Sequence, residues 1–315
     1  MPSIEENRVV WDSDGGYPWA AAGEEWSFNW GDSSTQWAST ILPRLSPFLP
    51  ATSVLEIAPG FGRWSQHLIE LCDRYVGIDL SERAVQACRE RYSAEENVTF
   101  FVNDGVSLAM VGDHSIDLAF SFDSLVHVEM DVIEGYLREL ERILRGDGVG
   151  FLHHSNLGGI RERVSNRSKE FRAQSVSADT FVEAARAAGL VCISQELIAW
   201  NSAHLIDCIS VVVPSGSMRA RPLRRMSNPY FLLEKVSAAH VSYTYRGMDP
   251  PLAFKQHSVH LPIPDSSVRE DRAAWARMGP VAVFVYGPWL SSLIGARGRD
   301  GVSRRARDDR SGPVM

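Results

Sequence analysis

The chain has 315 residues, enough for one large domain or two, and its 44% hydrophobic and 23% charged residues are ordinary for a soluble globular protein. The net charge of −7 argues against general nucleic-acid binding. That charge is uneven, because residues 215–315 hold 16 Lys and Arg against 8 Asp and Glu while residues 1–214 hold 16 against 31, so the tail leaves room for an anionic partner.

Residues 1–50 are rich in aromatics, with Trp11, Trp19, Trp26, Trp30 and Trp37 among them. They read equally well as anchors of a core or as the cover of a site. Trp26, Phe28 and Trp30 alternate like a short extended piece, and Ser33 to Leu45 reads as a helix stopped near Pro43 or Pro47. Ser53 to Ile57 is an apolar run suited to a buried parallel strand. It breaks at Pro59-Gly60-Phe61-Gly62, and helical spacing resumes at Trp64, Leu68, Ile69 and Leu71. Glycine at 60 and 62 permits unusual φ/ψ and close approach of a ligand, and a helix N-terminus favours a negative group there. Arg74 to Leu80 is a second buried strand ending in Asp79, where doubly wound folds keep an acid for ribose hydroxyls.

Ser81 is a suitable N-cap for a helix to about Tyr92. Val98 to Asp104 is a third strand and Ser115 to Phe122 a fourth, followed by Asp123-Ser124-Leu125-Val126-His127 and a helix from about Met130 to Leu144 with Gly146 as its C-cap. Val149 to Asn156 is a fifth strand with a polar end, His153-His154-Ser155-Asn156. Residues 157–176 are polar and basic, a solvated connection or a lid. Ser177 to Ala188 is a helix ended by Gly189, and Leu190 to Trp200 and Leu205 to Val213 are strands six and seven. Their short connection, 201–204, makes them antiparallel. Beyond Pro214, residues 215–229 read as a basic linker, Val241 to Tyr245 as a small β element, and 296–315 as disordered. The apolar run 281–294 is too short for a membrane span, so no transmembrane segment is expected and peripheral membrane contact is a minority reading. Cys72, Cys88, Cys192 and Cys208 are dispersed and the N-terminus shows no secretory pattern, which fits a reduced, cytoplasmic setting without zinc.

Over roughly residues 50–213 the chain resembles the class I S-adenosylmethionine-dependent methyltransferases. Glu56-Ile57-Ala58-Pro59-Gly60-Phe61-Gly62 matches their acid-x-Gly-x-Gly-x-Gly turn, with Ala58 in place of a glycine, and Asp79 matches their second acid. The order strand, Asp123-x-x-x-His127, helix, Arg142-Ile143-Leu144-Arg145-Gly146-Asp147-Gly148, strand resembles the small-molecule members. The resemblance implies a Rossmann-like, seven-stranded doubly wound α/β sheet with an antiparallel last strand, an aromatic cap at 1–50, a cofactor-binding domain at 51–214 and a basic extension at 215–315. An antiparallel ending separates this fold from nicotinamide-binding Rossmann domains.

The implied cofactor is S-adenosylmethionine. Glu56, Ala58, Gly60, Gly62 and Arg63 of the first turn would hold it, with Asp79 and Leu80 after strand two. Asp104 and Gly105 after strand three and Phe122 ending strand four complete the set. Asp104, matched to the family's adenine-contacting position, also reads as the carboxylate of an Asp-Gly turn. A hydroxyl acceptor needs its proton removed, and histidine is the natural base near neutral pH. His127 is the first candidate because it follows strand four beside the expected methyl position. His154 is the second, since His153 and His154 should face opposite sides of the sheet, and Asp123 would orient or assist. Each histidine also reads as a structural one. A magnesium site built from Asp123, His127 and His154 is disfavoured because hard magnesium prefers oxygen ligands, so no metal is expected. The reaction implied is methyl transfer to a small polar acceptor, with a hydroxyl of a sugar or secondary metabolite as the first reading. Alternatives are small-molecule N-methylation and a non-catalytic S-adenosylmethionine-binding interaction module. Phe122-Asp123-Ser124-Leu125 lacks the Asn/Asp-Pro-Pro-aromatic pattern of nucleic-acid and glutamine N-methylating members.

Overall fold

The computed structural model describes residues 3–13, 16–160, 164 and 166–234, all within one unit that extends to Val259. The readings made for 241–245, 281–294 and 296–315 lie outside the described residues.

Helix α1 (Ile4–Asp12) opens with a capping box, in which Ser3 and Glu6 satisfy each other's backbone N–H groups. A 3-10 helix, Glu24–Trp30, follows where an extended piece was expected. Alternating aromatics suggested a strand, but Gly23 and Gly31 bound the segment with positive φ and close it into a turn-like helix. Helices α2 (Ser33–Gln36) and α3 (Leu42–Leu45) join through one π turn, and together they match the expected helix. The glycine-turn unit is β1 (Ala51–Ile57), α4 (Ser65–Ile69) and β2 (Cys72–Asp79). Then come α5 (Glu82–Arg91), β3 (Val98–Val102), β4 (Ile116–Ser121), α6 (Met130–Ile143) and β5 (Leu144–Ser155). Ser81 caps α5 as expected, its Oγ accepting from Ala84 N–H. Gly146 is not a C-cap: buried Leu144 turns directly from α6 into β5 and pairs with Ile116, so the glycine falls inside the strand.

Helix α7 (Asn166–Phe171) lies in the stretch expected to be a solvated connection. That expectation holds only in part, because Arg172, Ala173 and Val176 are buried beyond it. Helix α8 (Ala178–Ala187), β6 (Leu190–Ile198), β7 (Asp207–Pro214) and β8 (Arg224–Asn228) complete the fold.

The sheet has eight strands, not seven, in the order β3-β2-β1-β4-β5-β7-β6-β8. Strand β7 runs antiparallel to both neighbours, and the other pairings are parallel. The added strand comes from residues read as a linker. Its side chains are exposed up to Asn228, so no apolar alternation marked it, and polar bonds hold it: Arg225 Nε to Gln195 and Asn228 Nδ2 to Glu196. Charge along an edge strand also discourages further pairing. One face of the sheet packs on α6 and α8 through Leu137, Leu140, Phe181 and Ala185, and the other on α2 to α5 through Trp37, Ile41, Leu68 and Val85. Strand order reverses between β1 and β4, the place where open α/β sheets bind ligands.

Candidate functional site

A cavity of about 330 Å³ opens at the carboxyl ends of the strands, at that reversal point. Ala58, Gly60 and Arg63 line it from the glycine turn, and Asp79 and Leu80 line it from the end of β2. Gly105 and Phe122 follow β3 and β4 into the same wall. The turn is fixed by its backbone: φ is +58° at Ala58, +57° at Gly60 and +84° at Gly62. Asp79 takes one backbone N–H on each oxygen, Gly60 on Oδ2 and Ser81 on Oδ1, both at 2.9 Å. Burial pushes its carboxyl up to about 6 despite those bonds.

Four expected site residues do not line the cavity. Glu56 points to the α4 side of the sheet, where Tyr75 and Ser65 hydroxyls donate to its Oε2, and burial raises its carboxyl to about 7. Gly62 serves packing, since a Cβ there would meet the Tyr92 ring at 2.8 Å. Asp104 turns its Oδ1 back onto the N–H groups of Val106 and Ser107, the turn-carboxylate reading. His154 is a core histidine: Nδ1–H donates to its neighbour's carbonyl on Ser155, Nε2 accepts from Ser210 Oγ, and the ring stacks on Phe181 with 4.1 Å between centroids. The alternation of β5 sends His153, not His154, to the cavity side, against Phe122 and Trp200.

His127 and Asp123 do line the cavity. His127 Nδ1 lies 2.7 Å from the carbonyl oxygen of Phe171. A carbonyl only accepts, so Nδ1 carries the proton and Nε2 keeps its lone pair. Burial, with Arg172 nearby, lowers the imidazole to about 4, so it is neutral at neutral pH. Asp123 is held in left-handed backbone, φ +68°, with its N–H donated to His153 Nδ1 and its Oδ2 paired to Arg63 at 3.0 Å. Behind it Arg172 grips Asp207 in a fork, Nε to Oδ1 at 2.7 Å and Nη2 to Oδ2 at 3.0 Å. Burial raises the Asp207 carboxyl, but Arg172 and His153 outweigh it and hold the group below its ordinary value.

Residues 54–148 match the family model described as a methyltransferase domain. That segment is a methyltransferase domain. S-adenosylmethionine is the cofactor that the Glu56–Gly62 turn and Asp79 imply for this domain. No curated protein matches the chain. Among solved structures it is similar to the N-methyltransferase NodS of Bradyrhizobium japonicum in complex with S-adenosyl-L-homocysteine, at 15% identity over 66% of this chain and 96% of that one, TM-score 0.47. It is also similar to the putative methyltransferase bound to the Trm112 activator of Haloferax volcanii, at 22% identity over 62% and 96%, TM-score 0.47. A third is an S-adenosylmethionine-dependent methyltransferase of Clostridium acetobutylicum, at 13% identity over 59% and 93%, TM-score 0.46. No helix among the described residues is long and apolar enough to cross a membrane.

Much of the methyltransferase's cavity comes from outside the matched segment. Helix α1 crosses its mouth: Ile4 packs where a Cβ on Gly105 would sit, Asn7 Nδ2 donates to the His127 carbonyl, and Asp12 accepts from Ser81 Oγ and Arg83 N–H. Trp19 stacks on Phe61, 4.6 Å between centroids, above Gly60. Trp11, Trp19 and Trp26 therefore cover the site, whereas Trp30 and Trp37 are buried core. Sequence reasoning named neither Asn7, Phe171, Arg172 nor Trp200 as lining residues. Spacing carries no signal for them, because they meet only through long-range packing. Arg172 had one clue: it belongs to the basic stretch 157–176, read as a solvated connection or a lid.

Proposed function

We propose that this methyltransferase methylates a hydroxyl of a small acceptor, a sugar or a secondary metabolite, with His127 as the general base. The observation that carries it is the Nδ1–H bond to the Phe171 carbonyl, which leaves Nε2 as an unprotonated acceptor on a cavity-lining residue. When bound, the cofactor supplies a methyl group already activated on a sulfonium. The residues present fit that group. Asp79 lines the cavity with a carboxylate suited to ribose hydroxyls, Leu80 and Gly105 flank the adenosine side, and the left-handed turn at Ala58 and Gly60 exposes backbone to the amino-acid end. Phe122 and Arg63 close that wall. Glu56 and Asp104 support it from beneath through the bonds they make.

On the acceptor side, Asp123 does not act as the base in this reading. Its carboxylate is committed to Arg63, and it orients the loop that carries His127. Positioning of the acceptor contributes several kcal/mol, and a placed base typically contributes about 10²–10⁴-fold. His127→Ala should lower kcat by about 10²–10⁴-fold and leave S-adenosylmethionine affinity nearly unchanged. Unchanged turnover removes His127 as the base. Because the neutral imidazole persists down to about pH 4, kcat at saturating cofactor, where loss of cofactor binding through Asp79 does not show, should hold through pH 6.5 on the acid side. An acid limb centred at the ordinary histidine value would contradict the assignment.

A further inference from the structure

We propose that the acceptor is a flat aromatic molecule carrying a phenolic hydroxyl, held between aromatic side chains with its oxygen at His127 Nε2. The proposal rests on the hydroxyl-methylation reading above and narrows it. Its first ground is the lining. Trp11, Trp26, Phe171 and Trp200 line the cavity, and Trp26 and Phe171 are each 38% exposed. Aromatic faces left open in a concave site favour a ligand that stacks on them.

The second ground is the polar inventory. Asn7 gives Nδ2 to two carbonyls, those of Ser3 and His127, and takes Trp11 Nε1–H on Oδ1. Arg63 and Asp123 hold each other, Arg172 is taken by Asp207, and Ser124 Oγ donates to the Ala58 carbonyl. These groups are occupied in building the wall. A sugar would bring several hydroxyls against side chains that already have partners, with the cavity-lining Arg8 and Asn201 left to receive them, at about 1–3 kcal/mol for each hydroxyl left unpaired. A phenol brings one, and His127 Nε2 is there to receive it.

The third ground is acidity. A histidine held near 4 is a weak base. It accepts a proton far more readily from a phenol, near 10, than from an alkyl hydroxyl, whose acidity is close to that of water at about 15.7. In the transfer the phenol proton passes to Nε2, the oxygen bonds the methyl carbon, and the carbon–sulfur bond breaks with its electron pair left on sulfur. The products are an aryl methyl ether, a neutral thioether and a protonated imidazole that returns its proton to solvent.

Phe171 separates recognition from catalysis. It lines the cavity and brings an aromatic ring there, while its backbone carbonyl sets the His127 tautomer. Phe171→Ala removes the first and keeps the second. The test uses the full chain, with 2-naphthol as the aromatic probe and methyl glucoside as the sugar probe. Binding is read by calorimetry in the presence of S-adenosylhomocysteine, and methylated product by mass spectrometry with S-adenosylmethionine. Naphthol should bind and be methylated, and glucoside should do neither. Phe171→Ala should weaken naphthol binding and raise KM by roughly fivefold to tenfold, with kcat held within about twofold. Trp26→Ala is the second variant, on a different wall. Methylation of glucoside in preference to naphthol, or naphthol binding indifferent to both variants, overturns the aromatic acceptor and leaves hydroxyl methylation standing. Naphthol binding that the variants weaken, with neither probe methylated, keeps the aromatic site and overturns the hydroxyl reading.

Discussion

The two walls of the cavity are built by different physics. On the side proposed for the cofactor, backbone does the positioning: left-handed φ at Ala58 and Gly60, and two N–H groups that fix the Asp79 carboxylate. On the side proposed for the acceptor, position comes from side chains far apart in sequence. His127 is held by Phe171, Asp123 by Arg63 and His153, and Arg172 by Asp207. A wall made of backbone tolerates little change in conformation but many changes of neighbouring side chain. A wall made of charged side chains is sensitive to each of them and can be remodelled for another acceptor without moving the cofactor. Arg63 joins the two, since it leaves the glycine turn and pairs with Asp123.

The largest effect should come from the acceptor wall. Asp207→Asn keeps the shape of the side chain but leaves the buried Arg172 guanidinium without its counter-charge. Breaking a buried pair from one side costs about 3–5 kcal/mol, and chemical denaturation should show it as a lower midpoint at unchanged slope. The folded fraction should still bind S-adenosylmethionine with normal affinity, because no cofactor-wall contact passes through Asp207. A normal midpoint, or a lost cofactor site in folded protein, breaks the comparison.

How legible each wall was follows from the same difference. The glycine turn, Asp79 and the strand-helix order were readable because local backbone needs leave local marks: glycine where φ is positive, an acid where a strand ends, a Ser N-cap at 81 and at 177. The acceptor wall left few marks. His127 was found because it follows β4 directly, whereas Arg172 and Trp200 enter through loops whose packing has no periodicity. His154 was preferred over His153 without a rule to say which face of β5 meets the site, and only the sheet register decides it. Glu56 shows a motif residue whose spacing fits and whose carboxyl turns away, because its place on β1 faces α4. The eighth strand was missed because an exposed, charged edge strand has the composition of a linker.

The next effect belongs beneath the cofactor wall. Glu56 is buried with its carboxyl raised from 4.5 to about 7. Below pH 4.5 both folded and unfolded chains carry the proton. Between 4.5 and 7 only the folded chain does, so stability falls as pH rises, and by pH 8 about 3 kcal/mol has been lost. Glu56→Gln keeps a neutral side chain of the same size beside Tyr75 and Ser65. It should match the parent near pH 5 and exceed it by about 3 kcal/mol at pH 8. Asp79, His127 and His154 also titrate, but they do so in both proteins and cancel in the difference. Equal stability at both pH values would mean that Glu56 is ionised in its burial site, and the wall would then rest on charge as the acceptor side does.

The smallest effect tests the backbone itself. Ala58 sits at φ +58° where the methyltransferase pattern has glycine, a conformation that costs an L-residue about 1–2 kcal/mol. It cannot relax, because its N–H is tied to the Ile78 carbonyl at 2.7 Å and its carbonyl to Ser124 Oγ at 3.0 Å. Ala58→Gly removes that strain but returns freedom to the unfolded chain, worth about 0.4–1 kcal/mol in the other direction. The net expectation is a gain of about 0.5–1 kcal/mol in unfolding free energy with cofactor affinity unchanged. The Ala58 methyl packs at the edge of the α6-side core, so burial of one carbon opposes the gain. A loss of stability would show that packing of this methyl outweighs the turn's strain, and side chains would then help hold even the wall that backbone builds.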